Sequence, residues 1–408
     1  MRVGALLRAS LLAACAHAGP CDIFAAHGTP CVAAHSVVRA LYAAYAGPLY
    51  QVLRTTDGKS VNVSALGGYA HAAAQTAFCG AEEVAPAPAP PPWAPGPCCD
   101  AASCPGHCDQ KPPGACPAHP GCVGCAACGA PRRAPALAKC MITRIFDQSG
   151  HGNHLHVVGE PSGLAAVARG GRLHNGAPMT GTNASADPVF VDGRRLFSAY
   201  FEGGMGFRSN TTAGVPTGDE PETLYMVTSG THYNSGCCFD YGNAEVGLWP
   251  NTTNNLTYAK GLMECIYFGD GYGVEGPHVM ADLEMGVYHG AGGVYHGAYA
   301  AVNATFVTAM VKGDSGDHWS IKWGDAQGGP LHTAFDGRRP QPPFYAPMKK
   351  PGGLVLGIGG DTSSDGVGTF YEGAVTRGYS RDEADALVQA DVVAARYGVG
   401  PPLKLKYV

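Results

Sequence analysis

Apolar and polar residues alternate with a period of two along most of the chain, as at Thr305-Phe306-Val307-Thr308-Ala309-Met310-Val311, His318-Trp319-Ser320-Ile321-Lys322-Trp323 and Leu354-Val355-Leu356-Gly357-Ile358. That period predicts strands, and the Gly, Asn and Asp clusters between the runs predict the turns of stacked antiparallel sheets. The fold class is therefore all-β, an antiparallel β-sandwich closed by one short helix. That helix is predicted near the end, where Ser380-Arg381-Asp382-Glu383 reads as a capping box. Ala384, Leu387, Val388, Val392 and Ala395 supply an apolar stripe, and Gly398 stands where a C-terminal cap belongs. About ten residues follow, too few for another domain.

Two stretches break the pattern. Residues 1–18 carry Arg2 and Arg8, run through apolar residues to Cys15 and end on Ala16-His17-Ala18, which reads as a signal peptide with its cleavage site. The run is too short to span a bilayer, and no later stretch reaches the roughly 18 apolar residues that a membrane helix needs. The second break lies between Cys79 and Cys140. Residues 85–97 form an Ala/Pro tract, and cysteines follow at 98, 99, 104, 108, 116, 122, 125 and 128. Proline-rich sequence cannot pair into a sheet. Residues 80–139 are therefore read as a Cys/Pro-rich insertion within a sandwich spanning 19–400, its ends joined by a Cys79–Cys140 bridge.

Composition adds the compartment. Sixteen cysteines suit an oxidising environment, and sequons at Asn62, Asn183, Asn210, Asn251, Asn255 and Asn303 point the same way. The expectation is a secreted or vacuolar glycoprotein, with disulfides rather than metal at Cys122-x-x-Cys125-x-x-Cys128. A net charge of −5 with dispersed basic residues gives no footprint for nucleic acid or an anionic membrane. A neutral ligand and no cofactor are expected.

Candidate chemistry sits in three places. In His278-Val279-Met280-Ala281-Asp282-Leu283-Glu284-Met285-Gly286-Val287 the odd positions are apolar while Asp282 and Glu284 fall on the even face. On a strand, residues two apart share a side at roughly 6.5–7 Å. A solvated sheet face would show the same pattern. The scarcity of Lys and Arg nearby instead suggests paired carboxylates whose pKa values are pushed up. Gly357-Ile358-Gly359-Gly360-Asp361 ends a strand on an acid after a glycine pair, which is either a close ligand approach or an ordinary turn. In Gly236-Cys237-Cys238-Phe239-Asp240-Tyr241-Gly242-Asn243 the adjacent cysteines either bond each other, forming a sulfur surface that could pack against a sugar, or pair with distant partners. Asp147-Gln148-Ser149-Gly150-His151-Gly152-Asn153-His154 reads as a polar turn after a strand over 142–146.

Taken in order, the segments resemble the catalytic domain of glycoside hydrolase family 54, the fungal-type α-L-arabinofuranosidases. The resemblance rests on Gly19-Pro20-Cys21-Asp22-Ile23, Thr29-Pro30-Cys31, Ala33-Ala34-His35-Ser36, Arg39-Ala40-Leu41-Tyr42 and Phe146-Asp147-Gln148-Ser149-Gly150. It continues through Gly230-Thr231-His232-Tyr233-Asn234, Cys237 to Glu245, Gly360-Asp361 and Gly368-Thr369-Phe370-Tyr371-Glu372-Gly373. It implies a concanavalin-like jelly roll and retaining, exo-acting release of terminal arabinofuranose from arabinan or arabinoxylan. By matching position it makes Glu284 the nucleophile and Asp361 the general acid/base. Asp282, Gly360 and Asp240 become contacts to the arabinose, and Cys237–Cys238 a vicinal disulfide beneath the sugar. The same matching pairs Cys21 with Cys31 and Cys79 with Cys140, leaving Cys265 alone. A monomer acting on arabinose-containing polysaccharide is expected, with no metal, nucleic acid or membrane.

A retaining enzyme needs one ionised and one protonated carboxyl roughly 5–5.5 Å apart. Asp361 is expected to stay protonated through burial and the charge of Glu284. Departures from the family pattern are Met285-Gly286 in place of two asparagines, a shorter loop at Asp270-Gly271-Tyr272-Gly273 without its tryptophan, and no C-terminal arabinose-binding domain. They leave room for β-xylosidase or galactofuranosidase specificity, or for a lectin-like sandwich that binds furanosides without cleaving them.

Overall fold

The computed structural model describes residues 18–80, 138–158, 179–246, 263–270, 276–284, 286–290, 301–340 and 345–399. The leader, residues 81–137 of the insertion, Asn251, Asn255, Gly271, Tyr272, Gly273 and Met285 lie outside the described residues.

Two antiparallel layers face each other. One runs in the order Cys31–Ser36, Gly368–Arg377, Glu222–Tyr233, Phe306–Gly313, His318–Asp325 and His332–Arg338. The other runs from Ser60–Leu66 through Pro48–Arg54, Cys140–Ile145, Leu155–Val157, Phe207–Ser209, Gly353–Leu356, Asp240–Ala244, Glu264–Asp270 and Pro277–Asp282 to Val287–Tyr288. The pair Thr182–Asn183 links the layers along one edge through Cys140–Ile145 and Ala199–Phe201.

The facing surfaces explain the alternation in sequence. Tyr241, Ile266, Phe268, Val279, Ala281 and Leu356 of the second layer join Leu224, Met226, Val307 and Ala374 of the first in one continuous core. The first layer is also covered outside. Lys312 and Lys322 both reach Asp385 of the helix Asp382–Ala394 at 2.7 Å, so both sides of Phe306–Gly313 are buried.

Local signals near that helix are displaced from their expected positions. Its N-cap is Arg381, with no side-chain capping bond, because Ser380 is engaged instead by Asp385 and by Thr223 Oγ1. Leu387 is exposed, whereas Ala384, Val388 and Val392 are buried as expected. The helix ends at Ala394 with Ala395 as its C-cap, followed by Arg396 at φ 54°, and Gly398 pairs in a short strand with Phe190. Tertiary partners outweighed the capping pattern, which contributes only about 1 kcal/mol.

The bridges Cys21–Cys31 and Cys79–Cys140 are formed, and the second ties together the ends of the region excluded above. The Asp147 turn is a fastening. Asp147 Oδ1 accepts the N–H of Ala34 at 2.9 Å and that of Ser149 at 2.8 Å, while Oδ2 accepts from Asn153 at 3.0 Å. Among the described residues no helix is long and apolar enough to cross a membrane.

Candidate active site

Residues directly opposite in an antiparallel ladder point to the same face. One such row crosses the second layer: Arg208, Val355, Gly242, Cys265 and Asp282. Cys265 and Val355 pack with Ile358 and Met179 in a small apolar cluster separate from the main core. An arginine and an aspartate thus stand at two ends of a floor of small side chains.

Asp282 closes its strand, and Glu284 lies beyond it in the turn leading to Val287–Tyr288. The expectation of two acids side by side on one strand is therefore corrected. Glu284 has φ 75°, outside the β region, and its N–H donates to Asp282 Oδ1 at 2.9 Å. The solvated-face alternative falls too, since every residue of Pro277–Asp282 is buried. A non-glycine residue in the left-handed region costs about 1–2 kcal/mol, and the bond to Asp282 offsets part of that cost.

Asp361 arrives from the strand Gly353–Leu356 through a tight loop. Gly357 N–H donates to Asp240 O at 2.8 Å, Gly359 N–H to Ser363 O at 2.9 Å, and Ser363 N–H to Asp361 Oδ1 at 2.7 Å. Gly360 is required for a reason the sequence did not reveal. A β-carbon there would lie 1.7 Å from Glu245 Oε2, so a neighbouring carboxylate occupies the space. Arg208 secures both sides of this contact, donating from Nη1 to Gly360 O at 2.7 Å and from Nη2 to Glu245 O.

The electrostatics are dominated by burial. Asp240 is fully buried, and its carboxyl hydrogen-bonds that of Asp282. Burial, then the adjoining Asp282 carboxyl, push Asp240 well above the ordinary range, so that one proton is shared between the two acids. Burial also pushes Asp282 up to about 7, against the opposing pull of the Glu284 N–H. Glu284 is driven well above its ordinary value by burial first, then by Glu245, with which it hydrogen-bonds, and by Asp282 and Asp361. This differs from the expectation of an ionised Glu284, because the Glu245 carboxylate beside it was not foreseen. Arg208, buried and hence lowered, is the counter-charge missing from the local sequence, and Glu245, Asp361 and Glu284 all act on it.

Cys237 and Cys238 are bonded to each other across a cis peptide. Cys237 Sγ lies 3.2 Å from Ser363 Oγ, and Cys238 Sγ lies 3.4 Å from Asp282 Oδ2, so the sulfurs wall the site between its two acidic segments. Both sulfurs and an Asp282 oxygen fall within 4.8 Å of one another, a metal-like grouping, but the sulfurs are used in the disulfide and offer no thiolate. Cys265 is the free cysteine among the described residues, buried beneath this face.

The structure thus brings Asp240, Cys237, Cys238, Asp282, Glu284, Gly360 and Asp361 together. Glu245 and Arg208 were missed. Their signals were faint: a lone arginine in the run Gly206-Phe207-Arg208-Ser209, and an acid one residue past a strand whose first residue is also acidic.

The family model described as "Alpha-L-arabinofuranosidase B, catalytic" matches residues 20–85 and 121–398. A probable α-L-arabinofuranosidase B of Aspergillus terreus is 40% identical over 392 residues, covering 94% of this chain and 63% of the relative. An arabinofuranosidase/B-xylosidase of Trichoderma koningii is 40% identical over 405 residues, covering 98% and 66%. The chain thus spans slightly less than two thirds of the length of these curated relatives. A crystal structure of an arabinofuranosidase complexed with arabinofuranosyl-α-1,2-xylobiose superposes with a TM-score of 0.71 at 35% identity, covering 94% of this chain and 66% of that one. A GH54 α-L-arabinofuranosidase soaked with a cyclic sulfate inhibitor matches to the same degree.

Proposed function

The chain belongs to the family of α-L-arabinofuranosidase B catalytic domains, and on that premise we propose that it is a retaining, exo-acting α-L-arabinofuranosidase releasing terminal arabinofuranose from arabinan- or arabinoxylan-type chains. The observation that carries this reading is the convergence of carboxyls from three segments, Asp240, Asp282 with Glu284, and Asp361, around the Cys237–Cys238 sulfurs.

In the first step the Glu284 carboxylate attacks the anomeric carbon while Asp361 gives its proton to the departing glycosidic oxygen. The glycosidic bond breaks and a glycosyl ester forms on Glu284. Asp361, now a carboxylate, takes a proton from water, whose oxygen attacks the same carbon and frees Glu284. Glu284 must therefore shed the proton that burial and its acidic neighbours favour. Asp240 and Asp282 exchange hydrogen bonds with sugar hydroxyls, the Gly360 backbone contributes a further contact, and the disulfide meets the apolar face of the ring.

We assign the protein to the secretory pathway as a monomer with a carbohydrate substrate rather than nucleic acid or membrane. The leader, the disulfides and the mild net charge support this. Residues 80–139 are proposed as a Cys/Pro-rich insertion within the sandwich, its ends joined by the Cys79–Cys140 bridge. The description of the Trichoderma relative as an arabinofuranosidase/B-xylosidase favours one second reading, xylosidase activity at the same carboxyls.

The decisive experiment compares hydrolysis of aryl α-L-arabinofuranoside and aryl β-D-xyloside by the native protein and by Glu284→Gln and Asp361→Asn variants. The reading expects native turnover and a loss of at least about 10³-fold in the Glu284 variant. Native protein that binds arabinose yet turns over neither substrate above the variants is a lectin.

A further inference from the structure

We infer that Glu245 is a positioning residue of the reaction, holding the Glu284 carboxyl by a shared hydrogen bond while bracing the backbone that presents Asp361. The inference rests on the arabinofuranosidase reading above and adds to it a carboxyl with no role in the chemistry described so far.

Three contacts place it there. Glu245 follows directly on the strand Asp240–Ala244, and its carbonyl accepts from Arg208 Nη2. Its Oε2 is buried without a protein donor and packs on Gly360 so closely that any β-carbon at that position is excluded. Its carboxyl hydrogen-bonds that of Glu284. Glu245 is therefore wedged between the residue that attacks and the peptide immediately before the residue that protonates. Arg208 binds Gly360 and Glu245 with the two arms of one guanidinium, so wedge and loop move together.

Two carboxyls in such contact cannot both be ionised cheaply, and Glu284 is the one pushed toward its neutral form. The other charged groups acting on Glu284 are Asp282, two residues upstream at the end of the preceding strand, and Asp361 from the loop, with the Arg208 guanidinium drawn toward them all. Of these Glu245 is the largest acidic influence after burial itself. It accordingly sets the pH above which Glu284 becomes a nucleophile.

The test is the pH profile of kcat/KM on aryl α-L-arabinofuranoside for native protein and Glu245→Gln, with thermal unfolding measured alongside. Glutamine keeps the shape and the hydrogen bond but removes the charge. The acid limb of the profile reports Glu284 in the free enzyme, and it should move to lower pH by about one unit, with plateau kcat reduced about tenfold. If the variant does not fold, Glu245→Asp is read instead. Its retained charge sits farther from Glu284, so the limb should move part of the way. An acid limb unmoved in a variant that unfolds at the native temperature overturns the inference. Absence of any native hydrolysis overturns the reading beneath it, which separates the two failures.

Discussion

Asp282 Oδ1 accepts the backbone N–H of Glu284 at 2.9 Å, so the carboxylate two residues upstream holds the proposed nucleophile at a φ of 75°. The acid pair is a local clamp: one member shapes the chain and the other projects from it.

Removing the clamp should therefore reduce catalysis out of proportion to its effect on folding. Asp282→Ala is expected to lower kcat by about 10²-fold, since displacements near 1 Å cost that much. Asp282→Asn keeps an oxygen that can accept the same N–H and should lose distinctly less. Equal losses in steady-state kinetics of the two variants would falsify a clamp through that oxygen.

Asp240 gives a prediction about pH and stability. Its carboxyl is favoured neutral in the fold, as is that of Asp282, which is pushed up to about 7. For a raised carboxyl the stabilising contribution is complete below the ordinary aspartate range. It is lost as pH rises through the folded value, because the unfolded chain then ionises freely while the fold must keep the proton or bury a charge. For Asp282 that window runs from the ordinary range to about 7. Asp240→Asn removes a buried acid that ionises in the unfolded chain and should add about 1–3 kcal/mol at pH 8, with much less gain at pH 4. Urea midpoints at the two pH values decide this. A gain independent of pH would show that ionisation is not its origin. Activity should fall, because the same oxygens are proposed to meet the sugar.

Arg208 supplies the opposite sign. Arg208→Ala leaves the carbonyls of Gly360 and Glu245 without this donor and the surrounding acids without this cation. A loss of about 3–5 kcal/mol is expected, typical of breaking a buried charge network. The loss should be greater at pH 8 than at pH 4.5, where fewer acids are ionised. Chemical unfolding of native and variant at both values measures it, and a pH-independent difference would mean that Arg208 acts by packing alone.

Much of the fold was legible because it depends on periodicity. The β-rich runs Phe306 to Val311 and His318 to Trp323 both lie in strands. The helix after Ser380 was legible as an apolar stripe, but its ends were not. Ser380 and Gly398 found partners in Thr223 and Phe190, far away in sequence, and those contacts displaced the local caps.

The site divides in the same way. Sequence alone determined which groups are available: the acids at 240, 282, 284 and 361, the adjacent cysteines and the glycine before Asp361, because residue type and short spacing are properties of the chain itself. Only the tertiary structure decided the environment of each acid. Pairing across successive strands puts Arg208 and Asp282 on one face, and packing brings Glu245 against Gly360 and Glu284. Charge interactions and desolvation depend on distance through space, and a one-dimensional pattern does not record that distance.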